Sequence, residues 1–213
     1  MIYASVLIAV SLLNILLGYS VHLKVKSFLS KRFFIFASVM GFWVFFYGVS
    51  FIFTNHALLT TRLIVFAAIF IPSSFHSLCK AIQSDDEHFS LLELLFHSSI
   101  TVILLLTIPT QLFITTAQFI NDSLVFTYGF SYSLQGIYIL LGMGLGFLTL
   151  YFKYKEATTN DQKTQLKLIA AGMIGATIIG LTFSFILPLL GFIQYNKFTT
   201  MASIFFLLSF AYA

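Results

Sequence analysis

The sequence predicts an all-α membrane protein, a bundle of seven transmembrane helices with the N-terminus outside and the C-terminal end cytoplasmic. Three observations carry this prediction. Hydrophobic residues make up 59% of the 213 residues and charged residues only 8%, whereas a soluble domain needs about 25% charged residues to wet its surface. The apolar runs are long, about twenty residues each, which suits a helix crossing lipid. A membrane strand needs only about 9–11 residues and alternates polar with apolar positions. Finally, Lys and Arg gather at alternate breaks between the runs, and short loops rich in these residues stay in the cytoplasm.

Apolar runs and polar breaks place the helices at about 2–22, 33–53, 58–80, 90–108, 132–152, 166–189 and 195–213. The first run begins at the second residue with no basic segment before it and no small-residue cleavage pattern after it, so it reads as a retained helix. On one side of the membrane lie Lys24, Lys26, Lys31, Arg32, Lys80, Lys153, Lys155, Lys163 and Lys167; on the other lie only Arg62 and Lys197. The richer side is therefore assigned to the cytoplasm. The acidic group Asp85, Asp86 and Glu87 falls on the same side and contributes little to orientation. The one long connection, 109–131, falls outside and contains no Lys or Arg. Its two β-rich runs, LFITTAQFI and SLVFTYGF, flank Asn121-Asp122, a pattern that predicts a short extracellular β-hairpin.

The single cysteine, Cys79, excludes an internal disulfide, and a net charge of +4 spread over loops gives no reason to expect nucleic acid. After Lys197 only apolar or small residues remain, fewer than a crossing needs and with no basic anchor, so the chain is expected to continue into a cytoplasmic effector.

Polar groups in apolar spans are costly and therefore mark functional candidates. Asn14 and Trp43 fall near mid-membrane, with Tyr47 one turn outward of Trp43; with Arg62, near the outer end of the third helix, they are the ligand-binding candidates. Arg62 suits either an anionic ligand group or snorkelling to lipid phosphate. His76, Glu93 and His97 lie in the cytoplasmic halves of the third and fourth helices, Glu93 and His97 four apart on one face. A hydrogen bond from His76 to Glu93 would tie the two helices and respond to pH. Nothing in the spacing fixes a metal site, and no metal or cofactor is expected. Pro72 and Pro188 interrupt the third and sixth helices and provide kinks. Gly142 and Gly146, with Gly144, and Gly172, Ala176 and Gly180 form small-residue stripes that allow close helix approach. There is no phosphate loop, no HExxH, no nucleophile elbow and no paired acids at mid-membrane, so no catalytic set is present.

From Gln165 the chain reads QLKLIAAG, then TFSFILPLLG, and it ends FAYA. With Asn14, the Phe-rich start of the second helix with Trp43, and RLIVFAAIFIP from Arg62 to Pro72, this pattern resembles the N-terminal seven-transmembrane region of bacterial sensor histidine kinases and related signalling proteins. Gln165, Leu166, Gly172, Pro188, Gly191 and Tyr212-Ala213 fit the motifs; Ser184 departs where the family has an asparagine. The resemblance implies a membrane signal-input domain in the bacterial inner membrane. It would pass a stimulus through the seventh helix to a kinase or cyclase, with membrane lipids, a small apolar or amphipathic ligand and a homodimer through the cytoplasmic part as partners. A small transporter and a structural subunit of a membrane complex are the competing readings. The halves show no repeat of the kind transporters carry.

Overall fold

The computed structural model describes residues 2–83, 88–120, 123–187, 190, 192, 198–200 and 203. Most of the helix expected over 195–213, together with Pro188, Gly191, Lys197, Tyr212, Ala213, the Asn121-Asp122 turn and the acidic group 85–87, lies outside the described residues. In order, the elements are α1 (Ile2–Val25), α2 (Phe28–Ser50), a 3-10 turn (Thr54–His56), α3 (Ala57–Ile69), α4 (Ile71–Ala81), α5 (Leu91–Thr107), β1 (Ile114–Ile120), β2 (Ser123–Tyr128), α6 (Phe130–Glu156) and α7 (Asn160–Leu181), which continues as a π-helical segment, Thr182–Ile186. Among the described residues, five helical stretches are long and apolar enough to cross a membrane, with α3 and α4 counted as one, and α5 is a shorter apolar helix.

Three helices, α2, α5 and α7, begin at capping side chains. Ser27, Ser90 and Thr159 each accept a hydrogen bond from the backbone N–H three residues on, and the side chains of Ser30, Glu93 and Gln162 accept one from the cap residue's own N–H. Thus α2 starts five residues before its apolar run and α7 six before. An apolar run measures the lipid slab, whereas a helix extends to its cap. The single helix expected over 58–80 is instead two, broken at Phe70. Pro72 has no N–H to donate to the preceding turn, and its ring crowds the carbonyl four residues back. Ser73 and Ser74 donate their hydroxyls to the Phe70 carbonyl at the break, which also accepts from the Ser74 N–H at 3.1 Å.

The chain divides into two units, one of residues 1–118 with 126–149 and one of 119–125 with 150–213. In the first, α1 and α2 pack antiparallel through small residues. A Cβ on Gly41 would sit 2.6 Å from Ile15 Cγ1, and one on Gly18 would sit 2.8 Å from Ala37 Cβ. Lipid tails are as apolar as leucine, so close backbone approach supplies the attraction between such helices. A second cluster joins Val65, Ile69, Leu104, Ile108, Phe113, Ile114 and Tyr138.

β1 and β2 pair as a two-stranded sheet. The base of this sheet is tied down: Phe113 and Ile114 are fully buried, and Gly129 N–H donates to the Phe113 carbonyl at 2.9 Å. Gly129 lies so close to the Leu112 carbonyl that no side chain fits there. Burial pushes the Tyr128 hydroxyl above its ordinary pKa, against a hydrogen bond from Tyr132. In the second unit, α7 buries Leu166, Ile169, Met173 and Ala176. Lys155 and Lys167 lie over the Tyr151 and Tyr154 rings, 4.7 and 5.5 Å from their centroids.

Candidate functional site

Eight polar side chains of the first unit, from α4, α5 and α6, converge on one line. Pro72 starts α4 so that Ser73, His76 and Lys80 lie along one side of it, at helical spacing. Ser90 caps α5 and sets Glu93, His97 and Thr101 on a matching stripe, four residues apart. Tyr138 and Thr149, eleven residues apart, come from α6. Gly142 and Gly146 make the meeting of α4 and α6 possible. A Cβ on Gly142 would lie 2.5 Å from Pro72 Cβ, and one on Gly146 would overlap the Phe75 ring.

The line starts at Lys80, whose Nζ donates to Glu93 Oε2 at 2.8 Å. The same oxygen accepts from the Ser90 N–H at 2.6 Å, so Glu93 serves both as helix cap and as counter-ion. Its other oxygen lies 3.4 Å from His76 Nε2. His76 Nδ1 faces His97 Nε2 at 3.1 Å, and His97 Nδ1 faces the Tyr138 hydroxyl at 3.0 Å. Tyr138 then meets Thr101 Oγ1 at 3.4 Å and the Ser73 side chain. Thr149 Oγ1, 3.3 Å from His76 Nε2, already donates its own hydrogen to the Leu145 carbonyl. His76 is 1% exposed and His97 4%, whereas the Glu93 side chain is 25% exposed. The Phe89 ring covers both imidazoles, with centroids 5.2 and 5.1 Å away. A buried chain of this kind is stable only when every member has a partner. Tyr138→Phe is therefore expected to destabilise the fold by about 1–3 kcal/mol, since His97 Nδ1 would be left without a hydrogen-bond partner. Unfolding of the detergent-solubilised protein would measure this, and an unchanged midpoint would contradict it.

The other sequence candidates are not gathered here. Asn14 is buried but turns back on its own helix, its amide donating to the Val10 carbonyl at 3.0 Å; its Oδ1, like Ser11 Oγ, is buried without a partner among the described residues. Trp43 is half-buried and Tyr47 buried. Arg62 is half-buried, with a buried Nε that has no partner among the described residues. Ala176 is buried and Gly172 and Gly180 half-buried, all in the other unit. Gly144 meets nothing within 4 Å. Sequence reasoning reached His76, Glu93 and His97 but missed Tyr138, Thr149, Thr101 and Ser73. Two signals were present: the Ser90-x-x-Glu93 capping box, and the face of α6 on which Tyr138, Gly142 and Thr149 follow at helical spacing.

No curated protein and no solved structure matches the chain. The family described as the N-terminal 7TM region of histidine kinase matches residues 5–213, and the chain belongs to that family: it is a multi-pass membrane protein and a sensor region.

Proposed function

We propose that this chain is the signal-input region of a two-component histidine kinase in the bacterial inner membrane, with its N-terminus outside. The observation that carries the reading is the family match across nearly the whole chain. The distribution of Lys and Arg supports the orientation, with nine on the assigned cytoplasmic side and two on the other. A small apolar or amphipathic ligand enters between the helices from the outer face, near Arg62, Trp43 and Tyr47, and favours one packing of the bundle. The seventh helix carries that difference to a cytoplasmic kinase dimer. A ligand acts only through its differential affinity for two states, and a tenfold change in population needs about 1.4 kcal/mol. That is within reach of one hydrogen bond or two buried methylenes.

The test is autophosphorylation of the full-length protein in lipid vesicles, with stimuli applied from the outer side. Arg62→Ala and Trp43→Ala are expected to lower the response several-fold while leaving the protein folded. A kinase output indifferent to every stimulus and to both substitutions would refute the reading. Reactivity of a cysteine placed at position 2 toward an impermeant reagent, in a Cys79→Ser background, tests the orientation separately.

A further inference from the structure

The hydrogen-bond chain has a direction, and the direction can be deduced. The Glu93 carboxylate beside Lys80 only accepts, and Thr149 has already spent its hydrogen on the Leu145 carbonyl. Both neighbours of His76 Nε2 are therefore acceptors, and Nε2 carries a hydrogen. In a neutral His76 the Nδ1 is then bare and must accept from His97 Nε2–H across 3.1 Å. A neutral His97 in turn has a bare Nδ1, which accepts from the Tyr138 hydroxyl at 3.0 Å. The bonds run from Tyr138 to His97 to His76 to Glu93.

We propose that the His76–His97 pair is a proton-binding site that takes up one proton and no more, and that uptake reverses the Tyr138–His97 and His97–His76 bonds and so acts on the sensor region. The regulatory half rests on the signal-input reading above; the proton site does not. The bookkeeping is closed. A proton arriving at His97 Nδ1 displaces the Tyr138 hydrogen bond, and the hydrogen on His97 Nε2 passes to His76 Nδ1. His76 is then the cation, held against Glu93, and donates to His97; His97 donates to Tyr138. The Tyr138 hydroxyl must turn to Thr101, 3.4 Å away, or to Ser73 beside the break at Phe70. A second proton would set two N–H groups face to face at the His–His contact. The rings have little room to part, because Phe89 covers both and Gly142 lies against His97. Among the described residues, the titratable groups in this chain are Lys80 on the helix of His76, Glu93 and His97 on α5, and Tyr138 on α6. Glu93, a quarter exposed, brings water to the acceptor end of the chain.

The test is ¹⁵N NMR of histidine-labelled full-length protein in lipid nanodiscs, titrated between about pH 4 and 8, with autophosphorylation measured on the same preparations. The pair is expected to take up a single proton, with His76 and His97 resonances moving together. Glu93→Gln should lower its proton affinity at least about tenfold, one pH unit, because an adjacent carboxylate favours the cation. Kinase output should follow the same single-proton curve. It should lose its pH dependence in His97→Gln, and keep it in His56→Gln, at a histidine in the remote 3-10 turn. Two independent protonations, no titration, or an affinity unmoved in Glu93→Gln would each overturn the proton site. Single-proton uptake with a pH-independent output that still answers other stimuli would overturn only its regulatory half, and the signal-input reading would stand. Failure of Glu93→Gln to fold would leave His97→Gln and the wild-type titration to decide.

Discussion

Gly146→Ala is expected to destabilise the protein by about 1–3 kcal/mol, the usual cost of overfilling a packed core, while Gly144→Ala, two residues away, should be neutral or slightly stabilising. Any Cβ at position 146 overlaps the Phe75 ring, and nothing lies within 4 Å of a Cβ at position 144. Phe75 has no easy retreat: it is fully buried, 6.2 Å from the Phe36 ring and 5.5 Å from that of Phe147. Alanine at 144 meets no obstacle and gains up to about 1 kcal/mol of helix propensity over glycine. Leucine at 146 should exceed the alanine cost. Phe75→Leu should partly rescue Gly146→Ala, so that the double variant loses less than the sum of the singles. Unfolding midpoints in detergent or nanodiscs measure all five variants, Phe75→Leu alone included. Equal behaviour of the two glycines would mean that α4 and α6 do not pack through this face.

Glu93→Leu should cost about 3 kcal/mol, the low end for breaking a buried ion pair, because a quarter of the side chain reaches water. The substitution removes the acceptor of three donors together: Lys80 Nζ at 2.8 Å, the Ser90 N–H at 2.6 Å and His76 Nε2 at 3.4 Å. Much of the loss comes from taking the carboxylate away from an ammonium whose side chain is only 11% exposed. Adding Lys80→Met should therefore restore part of the stability, although it deletes another native contact. A double variant less stable than Glu93→Leu alone would show that Lys80 finds another partner and that the pair is not the anchor of this corner.

How much of this was legible beforehand differs from residue to residue. His76, Glu93 and His97 stood out because an ionisable group in an apolar run costs too much to be accidental. Tyr138 did not, because tyrosine is common in membrane helices and its hydroxyl matters here only through a histidine 41 positions away. Gly142 and Gly146 were legible as a packing stripe, but Gly144 belonged to the same run and meets nothing within 4 Å. Gly18 and Gly41, which admit α1 and α2 to each other, carried no comparable stripe and were passed over.

By itself, the sequence determined that this chain lives in lipid, which breaks gather its positive charges and which family it resembles; each follows from composition or from local runs of residues. Helix limits needed the caps, and the site needed the packing of α4, α5 and α6. The reason is physical. In water, a helix declares its buried face by alternating apolar with polar residues. In lipid both faces are apolar, as the exposed Leu12, Leu13 and Leu16 and the buried Ala4 and Leu7 of α1 illustrate. Which face meets a neighbour is then decided by the fit of small residues and the pairing of a few polar groups, and both come into being only when the helices are together.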